Sequence, residues 1–336
     1  MTVRVAINGF GRIGRLVMRA ALEHPEKQLE VVGINDLGPV ATNAHLLKYD
    51  SVHGRLAGDV TAGDNWIDAG QGKIRVTAER DPAKLPWREL EVDVALECTG
   101  IFTKRETAAK HLEAGAKKVI VSAPADGADF TVVMGVNHDG LKPEHRVISN
   151  GSCTTNCLAP VAYVLHQGIG IERGFMTTIH AYTGDQSLQD TLHGDLRRAR
   201  AANLSMIPTS TGAARAIGLV MPALKGKLDG TAIRVPTANV SLIDLTFDAA
   251  RDTTPDEVNG LMEDAAKSNR LKGIIGINKA PTVSVDFNHD PHSSTFDVTQ
   301  TQILDNRFVR VLSWYDNEWG FSNRMVEVAA LFGQMA

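Results

Sequence analysis

Apolar residues in the first half of the chain fall in short blocks separated by stretches of helical spacing. Residues 4–8 form one block, 29–34 a second, 92–96 a third and 118–122 a fourth. Each has the continuous apolar character of a strand buried on both faces. Residues 15–23 place Leu16, Val17, Ala20 and Ala21 on one helical face, and 106–114 predict a helix between the third and fourth strands. Residues 129–135 are a candidate further strand. This β-α-β rhythm predicts a parallel sheet covered by helices on both faces.

The pattern changes past residue 152. Residues 175–180, 231–234, 241–247, 282–286, 299–303 and 309–314 are rich in β-branched and aromatic side chains and alternate apolar with polar positions. They predict a mixed or antiparallel sheet with one exposed face. Helices are expected from Cys153 through the apolar run 158–165, at 213–221 and at 255–268. Residues 320–332 predict a last helix that returns to the first domain. The expected division is 1–152 with 317–336 packing back, and 153–316.

Composition narrows this picture. A chain of 336 residues exceeds one typical domain, and 43% hydrophobic with 22% charged residues is ordinary for a globular protein. A net charge of −4 carries no nucleic-acid signature, and no dedicated nucleic-acid site is expected. No apolar run approaches the ~18 residues of a membrane helix, and the N-terminus enters a strand pattern without a leader-like stretch. Three cysteines, Cys98, Cys153 and Cys157, make a poor disulfide framework and suggest a reducing compartment. A cytoplasmic protein is expected.

Gly9, Gly11 and Gly14 follow the first strand and open the first helix in a G-x-G-x-x-G arrangement. That context predicts a Rossmann dinucleotide-binding domain. Gly9 permits the turn, Gly11 lets backbone approach a pyrophosphate, and Gly14 lets helix and strand pack closely. The helix N-terminus then faces the phosphates. Asp36 ends the second strand about 20 residues on, where a carboxylate bonds ribose hydroxyls and disfavours a 2′-phosphate, so NAD is the expected cofactor.

Cys153 stands among small hydroxyl residues where a helix begins, in the segment Ser149-Asn150-Gly151-Ser152-Cys153-Thr154-Thr155-Asn156-Cys157. A helix N-terminus carries roughly half a positive charge and favours the reactive thiolate. A thiolate nucleophile needs a proton partner, and His180 lies at the end of a predicted strand, where functional loops concentrate. Spacing alone does not bring the two together. Cys157, one helical turn past Cys153, and Cys98 are expected in the core.

Segments 8–15, 149–157, 180–186, 195–200, 209–214 and 314–318 occur in an order that resembles phosphorylating glyceraldehyde-3-phosphate dehydrogenases. The resemblance runs from about residue 3 to residue 325. It implies a Rossmann domain, an α+β catalytic domain on a mixed sheet, and a homotetramer acting on glyceraldehyde 3-phosphate and inorganic phosphate without a metal. Cys153 would be the nucleophile and His180 the base, first as ion-pair partner of the thiolate. Thr183 and Arg234 would hold the substrate phosphate; Ser152, Thr154, Arg198, Thr211 and Gly212 would hold the attacking phosphate. Arg12 and Ile13 would present backbone N–H groups to the pyrophosphate. Arg80, Thr99 and Ser122 would line the adenosine half, and Asn317 would bond the nicotinamide carboxamide. Against the family pattern, Gly151 replaces Ala, which should loosen the turn; Gly184 replaces Asn, Leu192 replaces Pro and Phe321 replaces Tyr. Residues 288–293 resemble erythrose-4-phosphate dehydrogenases, the alternative activity.

Overall fold

The computed structural model describes residues 2–24, 26 and 28–336. Two units emerge. One comprises the chain up to Val132, His138–Gly151 and Ser322–Ala336; the other comprises Val133–Asn137 and Ser152–Phe321.

In the first unit, strand Val3–Asn8 pairs in parallel with Leu29–Asn35 on one side and Val94–Glu97 on the other. Ile74–Thr77 continues the sheet beyond Leu29–Asn35, and Lys118–Val121, Val147–Ser149 and Phe130–Thr131 continue it beyond Val94–Glu97. Without the short edge strand at Phe130–Thr131, the order of the parallel strands is 3-2-1-4-5-6, the doubly wound arrangement with its crevice between strands 1 and 4. The edge strands Trp66–Asp68 and Thr61–Ala62 add on antiparallel. The central strands are apolar on both faces, yet they end in the buried polar residues Asn8, Asn35 and Glu97. Helix Arg12–Glu23 buries Leu16, Val17, Met18, Ala20 and Ala21. The C-terminal helix Trp319–Gly333 belongs to this unit from Ser322 onward. There Lys118 Nζ sits 4.7 Å from the Phe332 ring centroid, and a Cβ on Gly333 would come within 2.2 Å of Val3 Cγ1.

The second unit is built on a mixed sheet. Its order is Ile207–Ser210, Leu228–Val235, Ile171–Ala181, Ser241–Ala249, Phe308–Tyr315, Ser294–Asp297 and Ile275–Asn278. Strictly alternating burial along Ser241–Ala249 sends one face into a core with helices Cys153–Gly168, Ala213–Val220 and Pro255–Lys267. The parallel pairing of Ile171–Ala181 with Leu228–Val235 sets His180 beside Arg234.

Several predicted elements differ. Residues 282–286 form no strand; Ser284–Phe287 is a 3-10 turn with Val283 and Val285 exposed, so their β-branched character serves no core. Residues 299–303 split into a 3-10 turn, Val298–Gln300, and a strand, Gln302–Leu304. The helix at 106–114 is two short ones, Arg105–Ala108 and Lys110–Glu113. Only Phe130–Thr131 of 129–135 pairs. Strands Ile74–Thr77 and Ser294–Asp297 and helix Val40–Lys48 were not foreseen. Ser294 hides its strand because its hydroxyl is buried against Ser313 Oγ at 2.7 Å, which breaks the polar-out pattern.

Candidate active site

Two separate sets of site residues take shape, one on each unit. On the first, Gly9, Gly11, Asp36, Arg80 and Thr99 line a cavity of about 440 Å³ at the carboxyl ends of the strands. Gly9 has φ +90°, and a Cβ there would lie 2.7 Å from Thr99 N; a Cβ on Gly14 would lie 2.1 Å from Gly9 O. Gly11 opens the helix with no side-chain cap, and a Cβ on it would meet open space, so backbone N–H groups there are accessible to an anion. Asp36 is held by Phe10 N–H at 2.9 Å and Gly38 N–H at 2.8 Å, with Asn43 Nδ2 at 3.2 Å. The glycine turn thereby orients the carboxylate. Ile13 lies in the first turn of this helix, while the Arg12 side chain turns to pair with Asp50. Burial alone would raise the Asp50 carboxyl, but the His53 N–H, the Arg12 pairing and the Val52 N–H together hold it down at about 2. Ser122 sits at the end of the fifth parallel strand, its N–H on Glu97 O and its hydroxyl toward Cys98, outside the residues lining the cavity. Burial first, then the Glu97 charge, pushes the Cys98 thiol up to about 12. These features fit a dinucleotide: a cradle that side chains would fill, a bare helix N-terminus and a fixed carboxylate.

On the second unit, Ser152 caps the helix Cys153–Gly168 by accepting from Thr155 N–H at 3.0 Å. Cys153 is therefore its first residue. Its Sγ lies 3.5 Å from His180 Nε2. His180 Nδ1 is 2.7 Å from Ala181 O, so it carries the hydrogen and leaves Nε2 as an acceptor facing the thiol. Burial raises the Cys153 thiol above its ordinary value, while Arg234 and Thr154 pull it down. His180 is pushed down to about 3, by burial first and by Arg234 next. Withdrawal from water disfavours the charged form of both groups, and so opposes the expected thiolate–imidazolium pair.

Arg234 donates through Nη1 to Thr183 Oγ1 at 2.7 Å and to Ala181 O at 3.2 Å. Its buried Nε finds no partner among the described residues, a donor left for an anion. Arg198 donates through Nη1 to Asp185 at 2.9 Å and through Nε to Thr209 Oγ1 at 3.0 Å. Thr211 Oγ1 accepts from Ala213 N–H at 3.2 Å, and Gly212 opens the next helix with no side-chain cap. Thr154 is buried, its hydroxyl 2.9 Å from Tyr315 OH, which also bonds Thr178 and sets its ring edge-on to His180. Asn317 lies on this unit, its Oδ1 accepting from Ser241 Oγ at 2.8 Å, so Nδ2 is the donor it has to offer. Sequence reasoning missed Tyr315, Asp185 and Ser241. Tyr315 and Asp185 lie within segments 314–318 and 180–186 without a signal of their own; strand register brings Tyr315 and Ser241 together, and a turn carries Asp185.

A doubly wound dinucleotide domain, in one chain with a thiol–imidazole pair and an arginine with one donor unspent, fits the class of dinucleotide-dependent dehydrogenases. Comparison with known proteins narrows the class. A family model described as glyceraldehyde 3-phosphate dehydrogenase, NAD binding domain, matches residues 3–105, and one described as the C-terminal domain of the same enzyme matches residues 152–317. Glyceraldehyde-3-phosphate dehydrogenase of Cereibacter sphaeroides is 64% identical over 335 residues and that of Xanthobacter flavus 65% identical over 335, with the whole of each chain covered. That of Geobacillus stearothermophilus is 57% identical over 331 residues, 98% of either chain. The chain belongs to the glyceraldehyde-3-phosphate dehydrogenase family.

Proposed function

We propose that Cys153 and His180 carry the phosphorylating oxidation of glyceraldehyde 3-phosphate with NAD, as nucleophile and base. The observation that supports this most directly is Cys153 Sγ at 3.5 Å from a His180 Nε2 whose tautomer makes it an acceptor. His180 takes the thiol proton as sulfur adds to the aldehyde carbon and passes it to the alkoxide oxygen, giving a hemithioacetal and leaving Nε2 an acceptor again. Nε2 then accepts the hemithioacetal hydroxyl proton as the carbonyl re-forms and a thioester results. NAD, when bound, supplies the hydride acceptor for this oxidation. A phosphate oxygen attacks the thioester carbon, the C–S bond breaks, the proton held on His180 returns to the departing sulfur, and 1,3-bisphosphoglycerate leaves with the Cys153 thiol and the neutral His180 restored. An acyl phosphate conserves the energy of oxidation that attack by water would dissipate.

Arg234 and Thr183 hold the substrate phosphate; Arg198, Thr211, Gly212, Ser152 and Thr154 receive the attacking one. Arginine suits this task because its charge is permanent and its fork matches phosphate oxygens. Gly9, Gly11, Arg12, Ile13 and Gly14 hold the pyrophosphate, Asp36 the ribose, Arg80, Thr99 and Ser122 the adenosine side, and Asn317 the carboxamide. The erythrose-4-phosphate alternative rested on residues 288–293. There Asp290 bonds His292 Nδ1 and Thr295 Oγ1, both at 2.6 Å, an internal cluster that calls for no ligand. A homotetramer in the cytoplasm is the setting that the family relation supports.

The test is NADH formation from glyceraldehyde 3-phosphate with and without inorganic phosphate. Sustained turnover with phosphate, and a burst of about one NADH per chain without it, is expected. Cys153→Ser should abolish both while retaining NAD binding. Equal turnover without phosphate, or a fully active Cys153→Ser variant, would overturn the assignment.

A further inference from the structure

Beneath the dinucleotide cavity lies a buried polar chain that the reaction itself does not use. Glu97 ends the fourth parallel strand and is 1% exposed. Its Oε1 accepts from both the N–H of Thr99, at 2.8 Å, and the Thr99 hydroxyl. Its Oε2 accepts from Asn8 Nδ2 at 2.6 Å and lies 3.0 Å from His111 Nε2.

Donor-only groups at the outer ends fix the direction of every bond. Trp87 Nε1–H can only donate, and it reaches His111 Nδ1 at 2.9 Å, so His111 carries its hydrogen on Nε2 and gives it to Glu97. On the other side, Glu79 N–H donates to Asn35 Oδ1 at 2.8 Å, which turns Asn35 Nδ2 toward Asn8 Oδ1 at 2.7 Å. Asn8 Nδ2 must then face Glu97. Every neighbour of the carboxylate is therefore a donor, and only an acceptor-only side chain satisfies the site. Trp87 and His111 are both wholly buried, so no water takes a missing partner's place readily.

The chain crosses the ends of the second, first and fourth parallel strands, where the crevice opens. It also decides what Thr99 offers. With N–H and hydroxyl both given to Glu97, and with Thr99 Oγ1 accepting from Ile101 N–H at 3.1 Å, Thr99 is held as a fixed wall against Gly9. We infer that Glu97, braced by His111 and Trp87, is a positioning residue that sets the Gly9–Thr99 wall of the cofactor cavity and thereby the affinity for NAD. This rests on placing the dinucleotide in that cavity, and it goes beyond that placement by naming what holds the cavity in shape.

The experiment is calorimetric titration of the full chain with NAD, with the alkylation rate of Cys153 measured beside it. In Glu97→Gln an amide NH2 must oppose donors whichever way it turns, and NAD binding should weaken about tenfold or more. His111→Leu removes the brace and should weaken it similarly. His111→Gln offers Trp87 an acceptor and Glu97 a donor, and should recover most of what His111→Leu loses. Cys153 alkylation, reporting the other unit, should be unchanged in all three. NAD affinity in Glu97→Gln within twofold of the unsubstituted chain, or equal weakening in His111→Leu and His111→Gln, would overturn the inference. If Glu97→Gln does not fold, the His111 pair decides. Misplacement of the cofactor itself would show separately, as NAD binding indifferent to Gly9→Val.

Discussion

At Cys153 burial and the Arg234 charge act in opposite senses, whereas at His180 both push the imidazole down. The helix N-terminus and Arg234 favour the thiolate, while withdrawal from water favours the neutral pair. His180 carries the clearer consequence. Its folded value, about 3, lies below the 6.5 of a free imidazole. Above pH 6.5 neither state is protonated there, so no penalty arises. As pH falls from about 6.5 toward 3, the unfolded chain takes a proton that the folded one refuses, and stability drops by up to about 1.4 kcal/mol per pH unit. His180→Asn removes this sensitivity. Urea midpoints between pH 7 and 5 should therefore fall less steeply in that variant than in the unsubstituted chain; parallel slopes would refute the buried neutral histidine. Both residues stood out in the sequence as a candidate pair. Their contact did not, because 27 positions of chain separate them and only packing of the Cys153 helix against the sheet that carries His180 closes the gap.

The helix beginning at Cys153 shows how an element sets up chemistry. Ser152 caps it from an extended conformation, and Gly151 just before it has φ +64°. Glycine at 151 was expected to loosen the turn. The positive φ gives it another meaning, since a side chain at that angle is strained by about 1–2 kcal/mol. Gly151→Ala should accordingly lower unfolding stability by about that amount, despite the better intrinsic rigidity of alanine. Ser152→Ala should cost about 1 kcal/mol through the lost cap. Urea denaturation of the full chain measures both, and an Ala variant at 151 as stable as the original would contradict the strained-turn account. The cap, the glycine motif and the strand ends were legible because each depends on neighbours in sequence. Strand Ser294–Asp297 was not, since its buried Ser294 is satisfied by Cys157 and Ser313 from distant elements.

For the whole molecule, the clearest unclaimed feature is apolar surface. Leu188, Leu192, Leu196, Leu204 and Met206 are all at least 73% exposed within one loop, and Phe175 and Phe308 are exposed on the second sheet. Patches of this kind mark contact surfaces. Light scattering should give a mass near four times the 36.2 kDa chain, in keeping with the proposed homotetramer; a monomer at micromolar concentration would refute it. No helix among the described residues is long and apolar enough to cross a membrane.

By itself the sequence determined the alternation of strands and helices, the glycine cradle, the candidate thiol and the candidate base. These follow from periodicity, backbone freedom and side-chain chemistry, which act over a few residues. Tertiary structure alone decided that His180 Nε2 faces Cys153, that Arg234 stands beside His180 with a donor unspent, and that Glu97 sits among donors. Hydrogen-bond direction and desolvation depend on which distant strands become neighbours, and that is settled when the sheets assemble.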